Sequence, residues 1–315
     1  MKLVSKFALF LAAITAAPVL AQTGGATLVT PSANASSAPD LAFGAYQRGY
    51  YVTAFKEAMT RVKANDQDAP AMTLIGQLYS EGLTVKRDPT EAARWYKLAS
   101  DRGDRQATFQ LAVAAMEGTG VAKDKAYAKQ LFEKAAAQGH PGALYNLGVM
   151  AVENNGVTPD FPKAADLFRR SALGGDSDAA YSLGILYKQG KGVPQDNAQA
   201  AEWLKRAADN HHTPGMVEYA IMLFNGEGIA RDEAAGAHLM LKAAARNNPV
   251  AQNRVARLLA AGRGLPKDMI EAMKWHLLAR AGGLKDAWLD SQLAGLSNEE
   301  KQGVEEAVRR YVANQ

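Results

Sequence analysis

Five histidines, His140, His211, His212, His238 and His276, are the side chains best suited to acid–base or metal chemistry at neutral pH. None has a partner at the spacing a zinc site requires, and His211-His212 is an adjacent pair that a turn would leave solvated. The chain contains no cysteine, so disulfides, thiolate metal sites, cysteine nucleophiles and an N-terminal lipidated cysteine are excluded. Gly-x-Ser-x-Gly, Ser-x-x-Lys, a phosphate-binding glycine loop, His-Glu-x-x-His and a calcium loop are all missing. These absences predict a protein with no catalytic residues, cofactor or metal. What recurs instead is one acid: Asp88, Asp124, Asp160, Asp196, Asp232 and Asp268 stand 36 residues apart. An aspartate repeated in that way is suited to capping a helix rather than to catalysis.

The elements that would carry those aspartates share the 36-residue period. Small residues recur at Ala71, Ala107, Ala143, Ala179, Gly215 and Ala251, with an aliphatic or aromatic residue four positions on and a small residue five positions on, as in Leu183 and Gly184. That spacing predicts a first helix, A, with a flat side that a second helix can approach closely. A glycine pair such as Gly118 and Gly120, or Gly190 and Gly192, ends helix A. The aspartate then caps a second helix, B, whose Ala200, Trp203 and Ala207 form a knob between holes. Helix B ends at Gly103, Gly139, Gly175, His211, Asn247 and Gly283, a place that asks for a left-handed backbone and that His211 fits worst.

The pattern small-x-x-x-Leu-Gly, Tyr, Gly-x-Gly-Val, Asp, Ala, Trp, Ala-Ala stands almost intact from Ala179 to Ala208. It resembles the Sel-one-like repeat (SLR) family, relatives of the tetratricopeptide repeats. The resemblance implies an all-α fold, a right-handed α/α superhelical solenoid of six helix-turn-helix repeats with capping helices. The units are 71–106, 107–142, 143–178, 179–214, 215–250 and 251–286. Repeat one has Leu83-Thr84 where the second glycine falls, and repeat three has Asn154 in place of the first, so those two turns are expected to differ in shape. Cysteine-rich relatives tie each repeat with a disulfide and have been linked to β-lactam binding or hydrolysis; a chain without cysteine stands outside that branch.

If helix A lines the concave side, as the resemblance implies, the residues two, six and nine positions after each small anchor form one stripe. In the central repeats these are Phe109, Val113 and Met116, then Tyr145, Val149 and Val152, then Tyr181, Ile185 and Lys188, then Val217, Ile221 and Phe224. The outer repeats carry Thr73, Gln77 and Ser80, and Asn253, Arg257 and Ala260. An apolar strip with polar ends suits a groove for a peptide or partner protein. The same side chains would equally serve as core if curvature buried them between neighbouring A helices. Glu81, Glu117 and Glu153 follow the stripe near helix ends where an acid is unfavourable by roughly 0.3–1 kcal/mol. They form a candidate acidic rim for a basic partner, beside the plainer reading of solvated turn residues.

The ends differ from the repeats. Met1 to Ala21 has two lysines, a short apolar run and small residues before Gln22, the build of a secretory signal peptide cleaved after Ala21. Residues 22–40 are poor in charge and in large apolar side chains and read as a disordered linker. A divergent helix pair over 41–70 and a helix within 287–315, opened by a Ser297/Glu300 capping box, are expected to close the array. Cleavage would remove Lys2 and Lys6, leaving 34 basic against 32 acidic residues and lowering the net charge from +4 to +2, which withdraws support from nucleic-acid binding. The leading expectation is therefore a non-enzymatic adaptor in the periplasm or secreted, holding a protein or peptide and regulating an envelope or sensor protein. The alternatives are a peptidoglycan or glycan binder, stacking sugars on Phe109, Tyr145 and Tyr181, and, more remotely, an envelope hydrolase.

Overall fold

The computed structural model describes residues 40–153 and 158–314. The expected signal peptide, nearly all of the expected linker and Asn154 lie outside the described residues. The described residues form helices joined by turns, with no strand among them. They fall into two compact units that divide after Gln138.

The first unit contains α1 (Leu41–Gln47), α2 (Tyr51–Ala64), α3 (Ala69–Glu81), α4 (Pro89–Asp101), α5 (Arg105–Glu117) and α6 (Lys125–Ala137). The second contains α7 (Pro141–Val152), α8 (Phe161–Leu173), α9 (Ser177–Gln189), α10 (Asn197–Asp209), α11 (Thr213–Asn225) and α12 (Glu233–Ala245), followed by α13 (Pro249–Ala261), α14 (Met269–Ala281), α15 (Ala287–Ala294) and α16 (Asn298–Ala313). Within each unit successive helices pack antiparallel as A/B pairs, and each pair packs on the next.

Each recurring aspartate caps helix B. Asp196 Oδ1 accepts from the Ala198 and Gln199 amides at 2.9 and 3.0 Å, and Asp268 Oδ1 from Glu271 at 2.9 Å. Its backbone N–H donates to a carbonyl near the end of helix A, as Asp196 does to Tyr187 at 3.0 Å and Asp268 to Leu259 at 3.1 Å. One residue therefore starts one helix and ties down the other. A cap of this kind is worth about 1 kcal/mol.

Helix A has a cap of its own, absent from the expectation. Asp68, Asp104, His140, Asp176, His212 and Asn248 each accept the amide of the anchor three residues on. Helix A thus begins at position 69 and its 36-residue equivalents, two residues before the small anchors. All six expected left-handed positions have positive φ, including His211 at 60° and Asn247 at 58°. The second glycine of the turn has a further duty at Gly120, Gly192, Gly228 and Gly264. A Cβ on Gly120 would lie 2.0 Å from the Pro89 carbonyl oxygen, and one on Gly192 2.3 Å from the Phe161 carbonyl carbon. These turns press against the start of helix B in the preceding repeat, where no side chain fits. Thr84, in repeat one, is not among the positive-φ residues, so that turn does depart from the others.

Helix B buries two rows. Trp203 and Trp275 belong to the expected knob row, but the adjacent row of Tyr96, Phe132, Phe168, Leu204, Met240 and His276 is buried in every repeat. Where helix A carries the small glycine, that second row fills the space, since a Cβ on Gly148 would meet the Phe168 ring at 2.6 Å and one on Gly184 the Leu204 side chain at 2.7 Å. At the C-terminal end the single expected helix is two. Asp286 caps α15, whose Leu289 is buried, and α16 opens on the Ser297/Glu300 capping box. The latter packs on α14, with Val304 buried and the Tyr311 ring 5.2 Å from that of Trp275.

Candidate interaction surface

Three of the five histidines, His140, His212 and His276, make contacts within the fold. Nδ1 of His212 accepts the Gly215 amide at 3.0 Å while Nε2 faces Asp178 at 3.0 Å, which fixes the proton on Nε2. His140 accepts the Ala143 amide at 3.2 Å. His211 sits in the left-handed turn, His238 is exposed on α12, and His276 is buried with Nε2 2.8 Å from Asp290. No three potential metal ligands cluster among the described residues.

The stripe residues lie at the margin of the packed helices. In α9, Ala180, Leu183 and Gly184 are buried, whereas Tyr181, Ile185 and Lys188 on the adjoining face are half-buried. Tyr145, Val149 and Val152 of α7 are half-buried likewise, as are Ile221 and Phe224 of α11; Val217 is buried. In the first unit Phe109, Val113 and Met116 of α5 follow the same rule. The aromatic members are anchored on one side by a neighbouring ring. Phe109 lies 5.9 Å from Phe132, Tyr145 5.7 Å from Phe168 and Tyr181 4.9 Å from His212. Burial, aided by the charges of Asp178 and Asp176, pushes the Tyr145 hydroxyl up to about 12, so it is a neutral donor at any physiological pH. Lys188 is held by Glu218 of the next repeat at 2.9 Å.

The acidic residues divide. Glu81 accepts from the Tyr46 hydroxyl at 2.9 Å and from Gln77 at 3.0 Å, which ties it to the N-terminal helix pair. Glu117 is exposed and lines a small cleft of 80 Å³ with Ser80, Tyr96, Gln110 and Val113. Glu153 is the C-cap of α7 and half-buried.

Sequence reasoning missed the clefts. Two open at one register, between consecutive A helices and over the B helix beneath. One lies in each unit, between α3 and α5 and between α11 and α13. The second, of 210 Å³, is lined by Ile221, Phe224, Met240, Leu258, Arg254 and Arg257 among others. Arg257 is bound in bidentate fashion to Asp286 at 2.6 and 2.8 Å and lies over the Trp288 ring at 5.2 Å. Burial, which disfavours the charge on Asp286, is outweighed by the hydrogen bonds of Arg257, Asn253 and the Leu289 amide, and its carboxyl is held down at about 2.

Consecutive capped helix pairs, each packed on the next, with a half-buried row along helix A, define a protein of the helical-repeat class. The Sel1 repeat family model matches six times in succession, over 69–104, 105–140, 141–176, 177–212, 213–248 and 249–284, and the chain belongs to that family. Its members are generally non-enzymatic scaffolds for protein partners. The matched boundaries coincide with the first residue of each helix A rather than with the anchors two residues later. A Sel1 repeat protein from Oxalobacter formigenes is similar at 31% identity and TM-score 0.68, covering 76% of this chain and 98% of that one. A protective antigen of uropathogenic Escherichia coli strains with an SLR fold shares the fold at 23% identity and TM-score 0.52, covering 84% of this chain and 64% of that one. No curated protein matches the chain.

Proposed function

We propose that this chain is an exported bacterial adaptor that holds a peptide or partner protein against the helix-A stripe and thereby regulates an envelope or sensor protein. The observation that carries this reading is the step in burial along a single helix. On α9 the buried face of Ala180, Leu183 and Gly184 gives way to half-buried Tyr181 and Ile185, and the same apolar margin recurs on α7 and α11. A row of partly exposed apolar side chains at fixed spacing matches the side-chain pockets by which an extended or helical segment is read. Each anchor fully buried by a partner would contribute about 1.5–3 kcal/mol, so a few suffice for a transient complex.

The export half of the proposal rests on the charged, apolar and small-residue order of Met1 to Ala21. N-terminal sequencing of protein recovered from the periplasm or medium is expected to begin at Gln22; a chain retained in the cytoplasm with Met1 intact would refute export. The binding half is tested by photo-crosslinking from Ile185 on the stripe against Glu202, exposed on α10. A discrete protein adduct from Ile185 alone is the expected outcome.

A further inference from the structure

The 210 Å³ cleft of the second unit carries an unbalanced charge. Arg254 is half-buried, its Nε has no solvent-exposed surface, and that atom has no hydrogen-bond partner among the described residues. Its neighbour Arg257 is already committed to Asp286. No carboxylate is among the residues lining the cleft.

The repeat register shows why the charge is unmatched. One repeat earlier, the equivalent pair of positions is occupied by Lys188 and Glu218, which meet at 2.9 Å. One step on, the same positions hold Phe224 and Arg254. The cation is present, but an aromatic ring stands where its counter-charge would be. That ring is itself capped by the Arg263 guanidinium at 4.8 Å. The unsatisfied Nε marks a guanidinium that no acceptor in the fold compensates, and the fork of a half-buried arginine lining the cleft matches a carboxylate.

The cleft is smaller than a cofactor pocket and suits a single residue. Its walls, Ile221, Phe224, Met240 and Leu258, ask for an apolar side chain, while Arg254 asks for an anion. One residue offers both at once: an apolar residue at the free C-terminus of a peptide chain. We infer that this cleft takes the C-terminal residue of the partner, with its side chain among Ile221, Phe224 and Leu258 and its α-carboxylate on Arg254. This rests on the reading of helix A as the binding face, since Ile221 and Phe224 belong to the stripe.

The test is a methyl-detected NMR titration of the full mature chain, labelled at Ile and Met, with acetyl-Gly-Ser-Gly-Leu as free acid and as C-terminal amide. The free acid is expected to shift the Ile221 and Met240 methyls and to bind about tenfold or more tighter than the amide. In Arg254→Met that preference should vanish, with the melting temperature unchanged or raised because an uncompensated, half-buried charge has been removed. Equal binding of acid and amide to the unaltered protein overturns the assignment without recourse to any variant. Equal or tighter binding of acetyl-Gly-Ser-Glu-Leu-Gly-amide overturns the C-terminal specificity. Should acid and amide bind alike while crosslinking from Ile185 still captures a protein, the cleft assignment falls and the adaptor reading stands.

Discussion

At the scale of single residues, the side chains that looked most chemical are the ones holding the backbone in place. His140 and His212 do the work that aspartate does at Asp104 and Asp176, accepting a helix N-terminal amide. Their recurrence was hard to see because the capping position tolerates Asp, Asn and His, so its identity varies while its geometry does not. His211 is held at φ 60°, a conformation that costs a residue with a Cβ about 1 kcal/mol and glycine almost nothing. Urea unfolding of His211→Gly is therefore expected to show stability raised by about 0.5–1 kcal/mol. Asp286 offers a second residue-scale expectation. Its carboxyl is lowered from the ordinary 3.8 to about 2, so its contribution is complete above pH 4 and is lost as pH falls through 2. With Arg257 half open to solvent, that loss should amount to roughly 1–2 kcal/mol, and Asp286→Asn should make the fall in stability between pH 4 and 2 shallower by that share, other lowered carboxyls such as Asp290 keeping theirs.

At the scale of elements, what was legible in the sequence was whatever admits only one residue type. The helix-B aspartate, the left-handed glycines and the small anchors each answer a strict geometric demand, and each stands at a fixed interval. The row from Tyr96 to His276 was not legible, because any bulky side chain fills the gap above a small helix-A residue. Neither was α15, a short helix set by Asp286 and Leu289 outside the period. The clefts were hidden for another reason: they are made by residues of two A helices and the B helix beneath, which no single pattern joins. The two kinds of turn glycine should respond differently to the same change. Gly192→Ala places a Cβ against the Phe161 carbonyl and should cost more than about 2 kcal/mol, whereas Gly283→Ala meets nothing within 4 Å and should cost about 1 kcal/mol in backbone strain alone. Equal losses in chemical denaturation would mean that close approach between repeats is not what selects the second glycine.

At the scale of the molecule, stability is assembled pair by pair, and the proposed function requires only that one face of those pairs remain incompletely covered. The small residues at 71 and its equivalents are buried with aliphatic residues four positions on, such as Leu183, while Tyr145, Tyr181, Ile185 and Ile221 lie at the margin of helix A. In the proposed function this margin, rather than the exposed face of helix B, meets the partner. Photo-crosslinking residues placed in turn at Val149, Ile185 and Ile221 sample the margin at 36-residue steps in the second unit, and Asp166, Glu202 and His238 sample the exposed B face at the same steps. One protein adduct shared by the first three positions and absent from the other three is the expected result. Adducts from the B face alone, or equally from both rows, would contradict it.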